Sequence, residues 1–311
     1  MADKNKIIVI CGPTASGKTG LSLLLAQQLN GEVISADSMQ IYRNLDIGTA
    51  KATKEEQSIA PHHLVDILDP DEPYNVQQFV EMAGQAIEDI CSRGKTPIIA
   101  GGTGLYIESL LNGIKFSDQP DNSRIKANLQ QELTENGIEY MYNILKEIDP
   151  EYAATVHPNN TVRVLRAIEI YRLTGNTMSR QLANSKPSEK PYDYLIIGLN
   201  YTDRQKLYDN INKRVDIMVD DGVLSEAEYV YKNKETFKTC VSAIGYKEFF
   251  PYFEGDSSLS ECIDKLKQAS RNYAKRQLTW FKRMKDVNWL YIDKDDYKDM
   301  ALCSAKEFLG K

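Results

Sequence analysis

The segment GPTASGKT at residues 12–19, which follows a short apolar run at residues 7–11, is the strongest constraint on the fold. It matches the pattern G-x-x-x-x-G-K-[ST] in full, and that pattern requires a strand before the loop and a helix after it. Glycines let such a loop wrap around phosphate oxygens, with successive N–H groups and the helix N-terminus directed at the anion. The sequence therefore predicts a strand–loop–helix unit that binds phosphate.

Every position of this loop is a candidate phosphate-binding residue: Gly12, Pro13, Thr14, Ala15, Ser16, Gly17, Lys18 and Thr19. Lys18 supplies a mobile positive charge, and the Thr19 hydroxyl is a suitable ligand for Mg²⁺. The loop indicates a polyphosphate, and a nucleotide such as ATP is one candidate. A diphosphate that leaves from carbon is another, because negative charge builds on the cradled oxygens in both reactions.

Strand and helix patterns alternate in the first third of the chain. Strands are predicted at residues 7–11, 32–36, 63–68 and 97–100, and helices at residues 19–29 and 76–91. Strands that alternate with helices along a chain pair in parallel. We therefore expect an α/β fold, a doubly wound parallel sheet with helices on both faces.

The pattern becomes helical after about residue 116. Residues 117–120 are polar and include a proline, which predicts a linker. Residues 122–174 have helical periodicity without a convincing strand. Within them, Asn159 or Asn160 is placed to cap the helix that follows.

An apolar strand pattern returns later, at residues 194–199, after a polar stretch at residues 175–190 that predicts a loop. The rest of the chain is expected to be mainly helical. A strand on the far side of the helical block indicates that the block is inserted into the α/β domain. The predicted domains are a core of residues 1–116 and 192–311 and an all-helical insertion at residues 117–191.

Charge and composition exclude several classes of protein. The 38 basic and 44 acidic residues give a net charge of −6, which taken alone argues against nucleic-acid binding. Five cysteines without a C-x-x-C pair exclude a disulfide framework and a structural zinc site. No apolar run approaches the roughly 18 residues that span a bilayer. We expect a cytoplasmic protein that has no membrane partner and acts as a monomer.

Residues 265–285 depart from the acidic average, with eight basic residues and no acidic one. Lys267, Arg271 and Lys275 are spaced i, i+4 and i+8, which places them in one stripe along a helix. We expect this stripe to neutralise RNA phosphates, because phosphate contacts need positive charge and no sequence reading. An ordinary solvated helix face is the alternative.

Two polar residues are expected beside the phosphate loop. Asp37 ends the strand at residues 32–36, and Thr103 follows the strand at residues 97–100, where no acid is present. Ligands in an open parallel sheet bind beyond the carboxyl ends of the strands, so Asp37 and Thr103 should flank the loop in one crevice. A carboxylate there serves as a general base or contacts Mg²⁺. The alternative for Asp37 is a helix cap or turn residue.

Further segments occur in a specific order along the chain: ISADSMQIY at 34–42, DIGTAK at 46–51, PHHLVD at 61–66, GGTGLY at 101–106, NTVRVLRAIE at 160–169, IGYK at 244–247 and AKRQLTW at 274–280. Together with the phosphate loop, these segments resemble the bacterial tRNA dimethylallyltransferases, also called tRNA isopentenyltransferases or IPP transferases. The resemblance extends to about residue 290. One departure is Ala52, where the family often has proline.

This resemblance implies transfer of a dimethylallyl group from dimethylallyl diphosphate to N6 of the adenine on the 3′ side of the tRNA anticodon, with release of diphosphate. It implies that Asp37 accepts the N6 proton, that Mg²⁺ assists, and that Thr103 contacts the substrate. The implied fold is a P-loop NTPase-like α/β core with a helical insertion. The residues implied to touch the tRNA anticodon stem-loop are Asp37, Ser38, Met39, Gln40, Thr103, Thr161, Val162, Arg163, Val164, Leu165, Arg166, Ser242, Ala243, Ile244, Gly245, Tyr246 and Lys247.

Other functions share parts of this pattern. A nucleotide or small-molecule kinase has the same loop and an inserted lid, and Arg204 and Arg214 would be its lid arginines. In the transferase the same two arginines would pair with diphosphate, and surface charge is the third interpretation. Prenyl transfer to a free adenine nucleotide would not need the basic helix. A non-catalytic RNA-binding module with a relic loop conflicts with the intact Lys18 and Thr19.

Overall fold

The computed structural model describes residues 4–116, 122–185, 189–294 and 296–311. Residue contacts divide the chain into two compact units. The first unit is Met1–Leu111 together with Pro191–Lys311, and the second is Asn112–Lys190. The linker predicted at residues 117–120 lies outside the described residues.

A parallel sheet forms the centre of the first unit. Its strands within the described ranges are β1 Lys6–Cys11, β2 Gly31–Ser35, β3 His62–His63, β4 Thr96–Gly101, β5 Asp193–Asn200 and β6 Val287–Tyr291. They lie in the order β3-β2-β4-β1-β5-β6, and every pairing is parallel. The prediction of an α/β fold with a parallel sheet is confirmed.

Helices of the first unit pack on both faces of this sheet. They are α1 Lys18–Leu29, α2 Lys54–Ile59, α3 Val76–Ser92, α4 Gly104–Leu111, α9 Arg204–Asp220, α10 Val223–Lys232, α11 Phe250–Phe253, α12 Leu259–Phe281 and α13 Tyr297–Leu309. Alternate residues of β1 point to opposite faces. Ile7, Val9 and Cys11 pack in one core with α3, α4 and α12, whereas Ile8 and Ile10 pack in the other with α1 and α13.

The regular elements of the second unit are all helices in the residues that the structure describes. Its helices are α5 Ser123–Ile148, α6 Pro150–Ala153, α7 Thr161–Thr174 and α8 Met178–Asn184. Its core includes Leu129, Met141, Leu145 and Ile168. Of the two proposed caps for α7, Asn160 has the role, because its side chain accepts a hydrogen bond from the Arg163 N–H at 3.3 Å.

The strand predicted over residues 63–68 is wrong beyond its first residue. Only His62 and His63 pair with β2. Leu64 and Asp66 have φ angles of 61° and 56°, in the left-handed region that extended backbone cannot include. The Asp66 carboxylate instead forms an ion pair with Lys51, whose side chain is almost completely buried. The apolar pattern here belongs to a folded loop.

Several elements were not expected from the sequence, among them α2, α8 and β6. The loop predicted over residues 175–190 contains α8, which Thr177 caps by accepting from the Arg180 N–H. Strand β6 was missed because only Leu290 in it is buried, so the strand lacks a continuous apolar run. No helix among the described residues combines the length and apolar character needed to cross a membrane.

Candidate active site

The phosphate loop joins β1 to α1 and has the backbone that its sequence predicts. Gly12 has a φ of 151°, and a Cβ atom there would lie 2.6 Å from the Leu199 carbonyl oxygen on β5. Gly17, which caps α1, has a φ of 74°. Both positions require glycine, the first for close packing and the second for its left-handed conformation. The loop is therefore held against the sheet at the start of α1.

Lys18 lies within the loop. Its Nζ donates hydrogen bonds to the carbonyl oxygens of Pro13 at 2.7 Å and Gly12 at 3.2 Å. Burial, followed by the positive charge of Arg214, lowers the pKa of Lys18 to about 8. The negative charge of Asp37 opposes this shift. Lys18 is thus a desolvated cation that an incoming anion would stabilise in its charged form.

Asp37 lies just beyond the carboxyl end of β2, as predicted. Its Oδ1 accepts a hydrogen bond from the Met39 N–H at 2.9 Å. Burial raises the pKa of the Asp37 carboxyl, and the Met39 N–H and the Lys18 charge oppose that shift. Because the effect of burial outweighs that of the neighbouring cations, this carboxylate is a stronger base than an exposed one. Asp37 also has the turn role that was the alternative, because its hydrogen bond from the N–H of Met39, two residues further on, is a turn contact.

A cleft of about 410 Å³ brings most of the predicted site residues together. Those that line it are Thr14, Ala15, Ser16, Gly17, Lys18, Thr19, Asp37, Ser38, Met39, Gln40, Arg214, Ser242, Ala243, Ile244, Gly245 and Lys247. Arg214 on α9 is close enough to Asp37 and Lys18 to influence the pKa of both groups. The cleft therefore holds the Asp37 carboxylate, residues of the phosphate loop and four cationic side chains, those of Lys18, Arg214, Lys247 and Arg276.

Gly12, Pro13, Thr103 and Tyr246 were also predicted for the site, but none of them is among the residues that line the cleft. The Thr103 N–H donates to the Ala36 carbonyl oxygen at 3.2 Å, which holds Thr103 beside the end of β2. Its side chain is next to the hydroxyl of Tyr273, a residue that does line the cleft. Tyr246 is fully buried, with its hydroxyl on the Glu226 carboxylate.

Gln277 belongs to the segment AKRQLTW at residues 274–280, but the sequence alone indicates no role for it in the site. It is 5% exposed, and its Oε1 accepts from the Thr14 N–H at 2.8 Å while its Nε2 donates to the Gly102 carbonyl oxygen at 3.0 Å. One side chain on α12 thus ties the phosphate loop to the end of β4. A polar residue on the otherwise apolar buried face of α12, with Ala274 and Phe281, was the available signal.

The basic stripe on α12 packs against another helix. Lys267 forms an ion pair with Asp216 on α9 at 2.6 Å, and Arg271 donates to the Asn212 Oδ1 at 2.6 Å. Lys275 is exposed. The i, i+4 spacing indicates which residues share a face but not what packs on it, so these partners could not be predicted. A role for the three residues in RNA binding stays a prediction.

The remaining predicted contact residues lie on α7 in the second unit. Val162 is 80% exposed, whereas Val164 is fully buried in the core of the unit. Leu165 packs against that core, and Arg166 forms an ion pair with Glu169 at 2.6 Å. Arg163 and Thr161 lie in the first turn of the helix. An interface on this helix would therefore use its N-terminal turn.

A complete phosphate loop at the carboxyl edge of a parallel sheet defines a P-loop α/β protein, here with a cleft lined by cationic side chains. A family model described as IPP transferase matches residues 40–284, and one described as isopentenyl transferase matches residues 5–64. The chain belongs to the IPP transferase family.

Individual relatives agree with this family. A tRNA dimethylallyltransferase of Bacillus cereus (strain AH187) is 50% identical over 289 residues, which cover 93% of this chain and 90% of the relative. One from Halothermothrix orenii is 46% identical over 297 residues, covering 95% and 90%.

Solved structures give the same result. The tRNA isopentenylpyrophosphate transferase of Bacillus halodurans matches with a TM-score of 0.72 and 43% identity, covering 99% of this chain and 96% of the other. A eukaryotic dimethylallyltransferase described as acting on tRNA matches with a TM-score of 0.82 and 34% identity, covering 98% and 80%.

Proposed function

We propose that this chain transfers a dimethylallyl group from dimethylallyl diphosphate to N6 of the adenine next to the anticodon of tRNA, on its 3′ side. The observation that carries the proposal is the partly buried Asp37 carboxylate, which shares one cleft with residues 14–19 of a complete phosphate loop. Family membership supports the same reaction. A kinase would use the same loop to hold the phosphates of ATP instead of a diphosphate that leaves from carbon. Binding of ATP to the loop of this chain stays a prediction.

The reaction needs a base and a stabilised leaving group. The N6 amine is a poor nucleophile because its lone pair is delocalised into the adenine ring. As the new bond from N6 to carbon forms, the bond from carbon to the diphosphate oxygen breaks, and the oxygen keeps the electron pair. Asp37 accepts the proton that N6 loses. The loop N–H groups, Lys18 and Arg214 stabilise the charge on the departing diphosphate.

Mg²⁺ fits the donor set of the cleft. No group of three or more His, Cys, Asp or Glu side chains suited to a metal ion occurs in the described part of the chain. Mg²⁺, however, is commonly held by one or two protein oxygens together with substrate phosphates and water. The Thr19 hydroxyl, which lines the cleft, would hold it with diphosphate oxygens. When bound, the ion neutralises charge on the diphosphate.

The tRNA substrate fits an enclosed site. A base must leave its stack to reach Asp37, which costs a few kcal/mol in a duplex. An anticodon loop is single-stranded, so its bases are cheaper to extract. We also propose that the helical insertion predicted at residues 117–191 contacts the tRNA, through the exposed first turn of α7.

The proposal is tested with labelled dimethylallyl diphosphate offered separately to tRNA, AMP and no acceptor. We expect label in tRNA alone, dependent on the adenine beside the anticodon. Label in AMP would indicate a free-nucleotide transferase. Consumption of ATP without any RNA, and no transfer of label, would indicate a kinase.

Replacing Gln277 with Leu removes the hydrogen bonds to the Thr14 N–H and the Gly102 carbonyl. Each buried group left without a partner costs about 1–3 kcal/mol. We expect an increase of about tenfold in the KM for dimethylallyl diphosphate and a lower melting temperature, because the loop loses its support. Gln268→Leu, on the exposed face of the same helix, is the control and should leave both unchanged. An unchanged KM in the Gln277 variant would contradict the role.

Alanine at Lys267, Arg271 and Lys275 should weaken binding of all tRNAs similarly, because phosphate contacts read no sequence. Each lost contact should flatten the dependence of log K on log salt by about one unit. The chemical step at saturating tRNA should be almost unchanged. Binding titrations across salt concentrations measure this, with Lys306→Ala on α13 as the control. If the triple variant keeps the wild-type affinity for tRNA and the wild-type dependence on salt, the stripe is only a solvated helix face.

A further inference from the structure

We infer that Glu226 is a positioning residue that sets the tRNA side of the cleft by joining two wall segments, residues 46–50 and 242–247. This inference rests on the proposed function, since it assumes that tRNA enters the cleft. Glu226 lies in the first turn of α10 and is not among the cleft-lining residues. It therefore acts through the two segments and touches no substrate.

The Glu226 carboxylate accepts four hydrogen bonds. Its Oε1 accepts from the N–H groups of Asp46 at 2.9 Å and Ile47 at 2.8 Å. Its Oε2 accepts from the Gly48 N–H at 3.0 Å and the Tyr246 hydroxyl at 3.0 Å. Three successive backbone N–H groups around an anion form a nest, and bonds to an ionised acceptor are stronger than neutral ones. One carboxylate thus joins both segments.

The two segments also pack with no room between them. A Cβ atom added to Gly48 would lie 2.5 Å from the Tyr246 ring, and one added to Gly245 would lie 3.1 Å from the Gly48 carbonyl oxygen. Gly48 and Gly245 both line the cleft. A shift of one segment would therefore move the other, and with it the width of the cleft.

The first segment is anchored at its other end to β2, the strand that precedes Asp37. The Gln40 Nε2 donates to the carbonyl oxygens of Thr49 at 3.3 Å and Ala50 at 3.2 Å. The Gln40 Oε1 in turn accepts from the Ser35 hydroxyl at 2.8 Å. With Glu226 at one end and Gln40 at the other, the segment has a fixed position relative to the base.

None of the hydrogen bonds of Glu226 reaches the phosphate loop within the described residues. Its loss should therefore affect the acceptor and leave the diphosphate site intact. A residue that merely stabilised the fold would lower the active fraction and leave both KM values unchanged. The KM for tRNA and the KM for dimethylallyl diphosphate, measured separately, therefore distinguish a positioning role from a purely stabilising one.

The test is Glu226→Gln, which keeps the shape but places an NH₂ group against N–H or hydroxyl donors. We expect the KM for a tRNA anticodon stem-loop to rise by about tenfold, equivalent to about 1.4 kcal/mol. The KM for dimethylallyl diphosphate should change less than about twofold, and kcat less than about threefold. Hydrogen exchange at the amides of Asp46, Ile47 and Gly48 should become faster, while exchange at Thr14 stays the same.

Glu228→Gln is the matched control. Glu228 is on the same helix and forms an ion pair with Lys232 at 2.7 Å on the surface, away from residues 46–50 and 242–247, so its variant should keep wild-type values. Tyr246→Phe removes one donor of the four and should raise the acceptor KM by about twofold to threefold.

An acceptor KM unchanged in both Glu226→Gln and Tyr246→Phe would overturn the inference, as would a rise in the KM for dimethylallyl diphosphate. If the wild-type protein transfers no label to tRNA, the proposed function itself fails. Wild-type activity with unaltered Glu226→Gln kinetics refutes the positioning role alone.

Discussion

Replacing Asp37 with Asn should lower the rate of dimethylallyl transfer by about 10²–10⁴-fold, the usual contribution of general acid–base catalysis. The amide keeps the shape of the carboxylate and can still accept from the Met39 N–H, but it cannot take the N6 proton. Single-turnover transfer with saturating substrates measures the chemical step, and filter binding measures tRNA affinity, which should stay nearly intact. Asp209→Asn, on the exposed face of α9, is the control. Wild-type turnover in the Asp37 variant would remove Asp37 from the base role.

The same assignment predicts a pH dependence. Burial raises the pKa of Asp37, and only the deprotonated carboxylate is a base. Activity should therefore fall as the pH falls through the raised pKa, above the ordinary value of about 3.9 for aspartate. A profile of kcat/KM for tRNA against pH locates this acid limb, which should be absent from the residual activity of the Asn variant.

Replacing Lys18 with Ala should lower kcat/KM for dimethylallyl diphosphate by about 10²–10³-fold, comparable with the loss of one donor from an oxyanion hole. The charge on the leaving diphosphate would no longer be compensated by a desolvated ammonium group. Steady-state kinetics against dimethylallyl diphosphate measure this, and Lys213→Ala, one residue before Arg214, is the control. If Lys18→Ala has wild-type kinetics, the anion lies elsewhere.

Lys18 also predicts an alkaline limb. Its pKa is lowered to about 8, so the free enzyme loses this positive charge as the pH rises through about 8. Because binding of the diphosphate needs the charged form of Lys18, kcat/KM for dimethylallyl diphosphate should decline above that pH.

Chelation of Mg²⁺ should also slow transfer of the dimethylallyl group. A transfer rate that is insensitive to chelator would contradict the role of Thr19.

Local patterns were sufficient to predict that the phosphate loop and Asp37 lie in one cleft. The loop at residues 12–19 and the carboxylate at Asp37 follow apolar strands directly, so the parallel sheet brings them to one edge. The supporting contacts were not predictable in this way. Gln277 and Glu226 reach the site from α12 and α10, and no short-range spacing indicates which distant backbone groups a buried side chain will meet.

Errors in the secondary structure have a similar cause. Residues 63–68 contain an apolar run, but the buried Lys51 and its carboxylate partners favour a loop over a strand there. Strand β6 has no such apolar run, so its own sequence does not indicate a strand. It is held in the sheet by its parallel pairing with β5. In both cases a tertiary contact outweighed local propensity.

β1 lies in the middle of the sheet, and its position affects when, during synthesis, the chain becomes able to bind dimethylallyl diphosphate. β1 pairs with β4 on one side and with β5 on the other, and the Thr14 N–H donates to the Gln277 side chain. A ribosome releases the phosphate motif first and these supports much later. A nascent chain therefore carries the whole motif for most of its synthesis without the contacts that hold it in shape. We expect dimethylallyl diphosphate to bind only after residue 277 has emerged, so that prematurely terminated chains do not sequester it.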